Sequence, residues 1–140
     1  MVSYHNLDAK ARLILPSIMR EEVGDKFYIT TGLDNCLFVF GIPVWEEFKE
    51  KIRQLSIADA RARRFERIFF GSAIFAETDA QGRTTIPTHL KEHAGLSKEV
   101  VSVGLSNRIE IWSKENWTFY NQKENTVDED LAQYMTEIGF

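Results

Sequence analysis

The chain has 140 residues, with 17 Lys and Arg against 21 Asp and Glu and a formal net charge of -4. That length suits one domain with a hydrophobic core of its own, needing neither staple nor metal to fold. Its one cysteine excludes an intramolecular disulfide, no apolar run approaches the length of a membrane span, and no charged-then-apolar leader precedes the first motif, so a reducing cytosol with no membrane partner is expected.

Charge is spread unevenly along the chain. Residues 49–67 hold seven Lys or Arg against three acidic residues, whereas residues 124–137 hold five acidic residues and no basic one, which predicts a basic surface and a separate acidic tail. In chain order, Arg12-Leu13-Ile14-Leu15 is apolar and extended, and Pro16, which suits a first helical turn, starts a short helix ending near Gly24. Lys26 to Thr31 and Cys36 to Phe40 are rich in aromatic and β-branched residues around Gly32-Leu33-Asp34-Asn35, so they read as a hairpin. After Pro43, Trp45, Phe48, Ile52 and Leu55 form the stripe of an amphipathic helix. Ser56 with Asp59 resembles a capping box opening another helix, with Ala62, Phe65, Ile68 and Phe69 on its apolar face and Arg63, Arg64 and Arg67 pointing away. Val100 to Val103 and Arg108 to Trp112 form a second hairpin around Gly104-Leu105-Ser106-Asn107. At the end, Thr126 with Glu129 is placed to cap a helix bearing Leu131, Tyr134, Met135 and Ile138, a stripe that needs a partner surface in its own chain or in another subunit.

The second half repeats the first. Asp8-Ala9-Lys10-Ala11-Arg12 and Pro16 recur 71 positions later as Asp79-Ala80-Gln81-Gly82-Arg83 and Pro87, and Arg20-Glu21 faces Lys91-Glu92 at the same offset. At an offset of 72, Gly32-Leu33 matches Gly104-Leu105, Phe40 matches Trp112 and Trp45 matches Trp117, so one inserted residue reconciles the two registers. Two copies are too few to stack as a solenoid, and they are expected to pair with each other under a pseudo-twofold axis. The expected division is a first module over 1–55, a basic helical connection over 56–73, a second module over 74–123 and an acidic amphipathic helix over 124–140.

Asp8 and Arg12 stand four apart at a turn into a strand, not within a helix. A carboxylate that pins a guanidinium there fixes the loop and aims the remaining Arg donors. One reading is an architectural clamp in each copy, which physical grounds alone favour. The other is a loop presenting Lys10 and Arg12 to a polyanion, with Asp8 and Asp79 orienting the motif. Gln81 replaces the lysine in copy two and leaves Arg83 alone there, so if the module meets DNA, copy one is the better reader.

The run from Arg61 to Arg67, with Arg63, Arg64 and Arg67 foremost, is a candidate secondary anion surface, although such helix faces are usually solvated and Asp59 and Glu66 can partner some of its arginines. His89 and His93 have the i, i+4 spacing of two zinc ligands but lack a third, so no metal is expected. Cys36 reads as a buried inert thiol, and Trp45 and Trp117 as matched core anchors. With no phosphate-binding glycine motif, nucleophile elbow or catalytic carboxylate pair, no catalytic residue, cofactor or small-molecule substrate is expected.

From about His5 to about Tyr120, the two D-x-x-x-R blocks together with Gly32 to Leu37 and Arg108 to Trp112 resemble the MraZ family of bacterial transcriptional regulators. The resemblance implies an α+β fold in which two tandem AbrB-like swapped-hairpin modules form one pseudo-twofold, β-barrel-like domain with packed amphipathic helices. It also implies a ring-shaped homo-oligomer that binds direct repeats in double-stranded promoter DNA, represses the division and cell-wall gene cluster, and resides in the cytoplasm with the nucleoid. The DNA-binding residues it implies are Lys10, Arg12 and Arg83. The family pattern has glycine where this chain has Ala11, so a turn requiring positive φ would cost about 1 kcal/mol there. From the residues alone, an oligomeric scaffold without direct DNA readout is the competing reading.

Overall fold

Each copy contributes four strands, and the strands of the two copies interleave. The computed structural model describes residues 1–121 and 127–139. In chain order the elements are β1 (Val2–Asn6), β2 (Arg12–Ile14), α1 (Ser17–Val23), β3 (Lys26–Thr31), β4 (Leu37–Gly41), α2 (Ile42–Arg53), α3 (Ala60–Gly71), β5 (Ile74–Glu77), β6 (Arg83–Thr85), α4 (Thr88–His93), β7 (Glu99–Gly104), β8 (Ile109–Ser113), α5 (Lys114–Asn121) and α6 (Glu129–Glu137). Six strands form one antiparallel sheet in the order β1-β7-β8-β4-β3-β5, and β2 pairs with β6 in a separate ribbon. The first strand of each copy therefore lies against the third strand of the other.

The pairing register locates the expected pseudo-twofold axis. Phe38 faces Glu110 in the central β4–β8 pair, and Leu13 faces Thr84 in the ribbon, each a residue opposite its own counterpart. The register also corrects the single-insertion alignment. Val100 pairs with Ser113 as Phe27 pairs with Gly41, so β7 follows β3 at an offset of 73 while β8 keeps 72. Copy two has a longer turn before β7 and a shorter hairpin loop after it. In copy one the loop is closed by Gly32 donating to the Cys36 carbonyl, and in copy two by Leu105 donating to that of Arg108. Asp34 and Asn35 both adopt φ of 61° in the longer loop, a conformation that short polar side chains tolerate.

The expected barrel-like closure is not what forms. The sheet is open, with β1 and β5 as its edges. Each edge strand turns sharply at its D-x-x-x-R block into a three-residue strand that pairs with its counterpart, so the ribbon shares no ladder with the sheet.

Both sheet faces are covered, which explains why all five residues of β4 are buried. Leu37 and Val39 join Leu13, Met19, Phe27, Ile86, Leu90 and Ile111 in a core under the ribbon, α1 and α4. Phe38 and Phe40 point the other way, toward Trp45, Phe69, Val101 and Trp112 beneath α2, α3 and α5. The matched tryptophans are unequal: Trp45 is buried, whereas Trp117 is half-buried and donates its indole N–H to Tyr4 Oη at 3.1 Å.

Helix α3 starts later than the capping-box reading placed it. Asp59 is its cap, accepting from the Arg61 and Ala62 amides at 2.8 and 3.4 Å, while Ser56 Oγ accepts from Ala58 N in the preceding turn. Thr126 lies outside the described residues; α6 is capped by Asp128, which accepts from Leu131 N at 2.8 Å. Leu131 and Tyr134 on α6, and Ile138 at its C-cap, are exposed.

Phe69 holds α3 to the sheet, with ring centroids of Phe48, Trp45 and Phe40 at 4.9, 5.7 and 5.9 Å. Truncating it leaves a cavity among aromatic rings, so Phe69→Ala is expected to lower stability by about 3 kcal/mol in urea denaturation, and a loss under about 1 kcal/mol would show that this ring does not anchor the helix.

Candidate nucleic-acid interface

The two D-x-x-x-R turns are built alike because one carboxylate closes each. In copy one, Asp8 Oδ1 accepts from the Lys10 and Arg12 amides, both at 2.9 Å, and Oδ2 accepts from Arg12 Nε at 2.6 Å. In copy two, Asp79 accepts from the Gln81 and Arg83 amides at 2.9 and 2.8 Å and from Arg83 Nε at 2.7 Å. The Arg12 amide above all, helped by the Arg12 side-chain hydrogen bond, the Lys10 amide and the Arg12 charge, holds the Asp8 carboxyl below its ordinary value; desolvation, second in size to the Arg12 amide, opposes them, and the Asp79 carboxyl is lowered by the equivalent groups. The architectural clamp is therefore present in both copies, and it consumes only one edge of each guanidinium.

The free edges differ. Arg83 Nη2 donates to Gln81 Oε1 at 3.1 Å, while the Arg12 Nη atoms have no hydrogen-bond partner among the described residues. Lys10, where copy two has Gln81, is exposed and forms no ion pair among the described residues. Copy one thus presents more unsatisfied cationic donors.

The ribbon places both motifs on one surface. Leu13 and Thr84 face inward and are buried, which turns Arg12, Ile14, Arg83 and Thr85 outward by the strand's period of two. Arg12 is opposite Thr85 and Ile14 is opposite Arg83, so the two motif arginines lie diagonally across a two-stranded ribbon, a shape that a DNA major groove admits. The turn at the middle of each motif requires positive φ: Gly82 sits at 76° and Ala11 at 55°.

The other candidates fall elsewhere. Helix α3 packs on the opposite face of the sheet from the ribbon, so Arg63, Arg64 and Arg67 do not join the motif arginines. Arg63 donates to the Ile57 carbonyl at 2.8 Å and Arg61 lies 3.7 Å from Asp59, but Glu66 makes no salt bridge among the described residues, contrary to its expected pairing. His89 Nε2 is hydrogen-bonded to the Ser72 carbonyl at 2.9 Å, and no group of three metal-ligating side chains occurs among the described residues. Burial pushes the Cys36 thiol far up, and its S–H donates to the Leu33 carbonyl at 3.0 Å. Among the described residues, no helix is long and apolar enough to cross a membrane.

One residue near the motifs carried no functional weight in the sequence reading. Arg20 lines a cleft of about 500 Å³ together with Asp8, Arg12 and Arg83. Its signal in the sequence was its recurrence as a second basic residue, Lys91, in copy two.

Two copies of a small α+β module, joined through a central sheet and an arginine-bearing ribbon, define the class of protein. A family model described as "MraZ protein, putative antitoxin-like" matches the chain twice, over residues 3–68 and 69–136. The chain is 44% identical over 135 residues to the Transcriptional regulator MraZ of Caldanaerobacter subterraneus subsp. tengcongensis, covering 96% of this chain and 94% of that protein. It is 47% identical over 134 residues to the protein of that name from Desulforamulus reducens and 46% over 136 residues to that from Clostridium acetobutylicum, with the same coverage of each chain. The chain belongs to the MraZ family.

Two predictions concern the turns. Ala11→Gly removes the side-chain strain at φ 55° and is expected to stabilise the protein by about 1 kcal/mol in urea denaturation, an unchanged midpoint being the contrary result. Because the folded carboxyl of Asp8 is depressed, its stabilising contribution is complete above the unfolded carboxylate range and is lost as pH falls through the folded value. NMR titration of the Asp8 carboxyl carbon is expected to give a midpoint below the ordinary 3.8; one at or above it would mean that the clamp is not formed in solution.

Proposed function

We propose that this protein is a sequence-specific DNA-binding transcriptional repressor, reading promoter DNA with the outer face of the β2–β6 ribbon. The observation that carries the reading is the pair of D-x-x-x-R turns on one ribbon, each Asp holding one edge of its Arg while the outer face stays open. Lys10, Arg12 and Arg83 make the DNA contacts, with Asp8 and Asp79 orienting the two arginines. An Arg fork suits guanine in the major groove, and Lys10 suits a phosphate. The name its relatives carry, transcriptional regulator, agrees with this role.

The target is a set of direct repeats upstream of the division and cell-wall gene cluster, and the working form is a ring-shaped homo-oligomer in the cytoplasm, associated with the nucleoid. A ring presents the same ribbon several times, so modest contacts to successive repeats multiply through effective concentration. The exchange of first strands between the two copies supports a swapped-hairpin description of the AbrB-like modules. Exposed Leu131 and Tyr134 on α6 and Ile138 at its C-cap favour self-association, and they are also what an oligomeric scaffold without DNA readout would show. In this reading Arg63, Arg64 and Arg67 form at most a secondary anion surface on the far side of the sheet.

Arg12→Ala is expected to lower affinity for DNA from upstream of the protein's own coding sequence by about 10-fold to 100-fold, with Lys10→Ala giving a smaller loss and neither altering oligomer size. Mobility shifts over a salt series measure the first effect and light scattering the second. Wild-type binding by both variants would falsify the ribbon as the DNA-reading surface and leave the scaffold reading.

A further inference from the structure

The two motif arginines share a cleft. This cleft, about 500 Å³, is lined by Asp8, Arg12, Arg20 and Arg83 together with His5, Ile14 and Leu15. Asp8 and Asp79 neutralise Arg12 and Arg83, but Arg20 has no carboxylate within salt-bridge distance and no side-chain hydrogen bond among the described residues. Burial lowers the basicity of His5, whose Nε2 lies 2.6 Å from Ser102 Oγ, so it adds little charge to the cleft at neutral pH. Arg20 therefore carries the cleft's net positive charge.

Its position depends on a difference between the copies. Arg20 belongs to α1 of copy one, yet its guanidinium lies on the turn of copy two, where a Cβ on Gly82 would overlap Arg20 Nη1. Gly82 is buried there, and its counterpart Ala11 carries the Cβ that Gly82 lacks. A half-buried guanidinium with unsatisfied donors, held beside two arginines already engaged, is suited to an anion arriving from solvent.

We infer that Arg20 is a phosphate anchor, binding a backbone phosphate of the DNA whose base edges meet the ribbon, and joining the two D-x-x-x-R turns into one continuous cationic surface. This rests on the ribbon being the DNA-reading surface. Arg20 differs in role from Arg12: it positions the duplex without reading its sequence. The asymmetric seat beside Gly82 also gives the pseudo-symmetric ribbon a direction along the duplex, since copy two offers Lys91, not Arg, at the equivalent position.

The test uses the full-length oligomer and two duplexes of equal length, one from upstream of the protein's own coding sequence and one of scrambled sequence, each titrated over a salt series. Arg20→Ala is expected to weaken both duplexes by the same factor, about tenfold. The log–log salt slope should also become shallower by about 0.9 for each phosphate that the variant oligomer no longer neutralises. Arg20→Lys, which keeps the charge, should recover most of the slope. Wild-type affinity and slope in Arg20→Ala, alongside abolished binding in Arg12→Ala, would overturn the anchor while leaving the ribbon reading intact. A loss confined to the upstream duplex would overturn it in favour of base readout. A loss accompanied by a lower melting temperature and not recovered by Arg20→Lys would assign Arg20 a structural role instead. Wild-type binding by Arg12→Ala and Arg20→Ala alike would remove both the anchor and the surface on which it rests.

Discussion

A single carboxylate in each copy organises what lies above the sheet. Asp8 and Asp79 each accept two backbone amides and one guanidinium edge, and in doing so turn the chain out of an edge strand and into a three-residue strand. Strands that short have little ladder to specify their partner. Their register comes from the paired turns at their ends and from Leu13 and Thr84, buried at the axis beneath them. The clamp is therefore architectural in both copies: by occupying Nε it leaves the Nη donors of Arg12 without a protein partner among the described residues, whereas Arg83 spends one of its own on Gln81.

Duplication sets the frame within which that interaction operates. The core positions remain apolar between copies, Leu37 and Ile109 or Val39 and Ile111, because the central strands pair across the axis and a change in one disturbs the other. The tips diverge more freely, with Lys10 against Gln81, Ala11 against Gly82 and Arg20 against Lys91. These exchanges leave the sheet pairing untouched and make the cationic surface unequal. A symmetric scaffold thus carries an asymmetric face.

Much of this was legible in the chain. The repeat, the two hairpins, the long amphipathic helices and the Asp–Arg turn all rest on local spacing and residue type, and they stand where periodicity placed them to within a few residues. The start of α3 shifted because Asp59 is itself the cap, a competition between neighbouring capping residues that spacing alone does not resolve. The offset of 73 along β7 was hidden because Gly32 and Gly104 match as letters while occupying different steps of their hairpins.

What the sequence determined by itself was therefore the module: its strands, its turn, its family and the residue types that suit a polyanion. Tertiary structure decided which strands exchange between modules, that the sheet stays open with the ribbon apart from it, and that Arg63, Arg64 and Arg67 lie on the opposite side from Arg12 and Arg83. It also decided that Arg20 of one copy rests on Gly82 of the other. The physical reason is range: turns and helical stripes are fixed by residues a few positions apart, whereas the cationic surface is assembled by pairings across some 70 residues of chain, whose choice depends on burying both faces of one sheet at once.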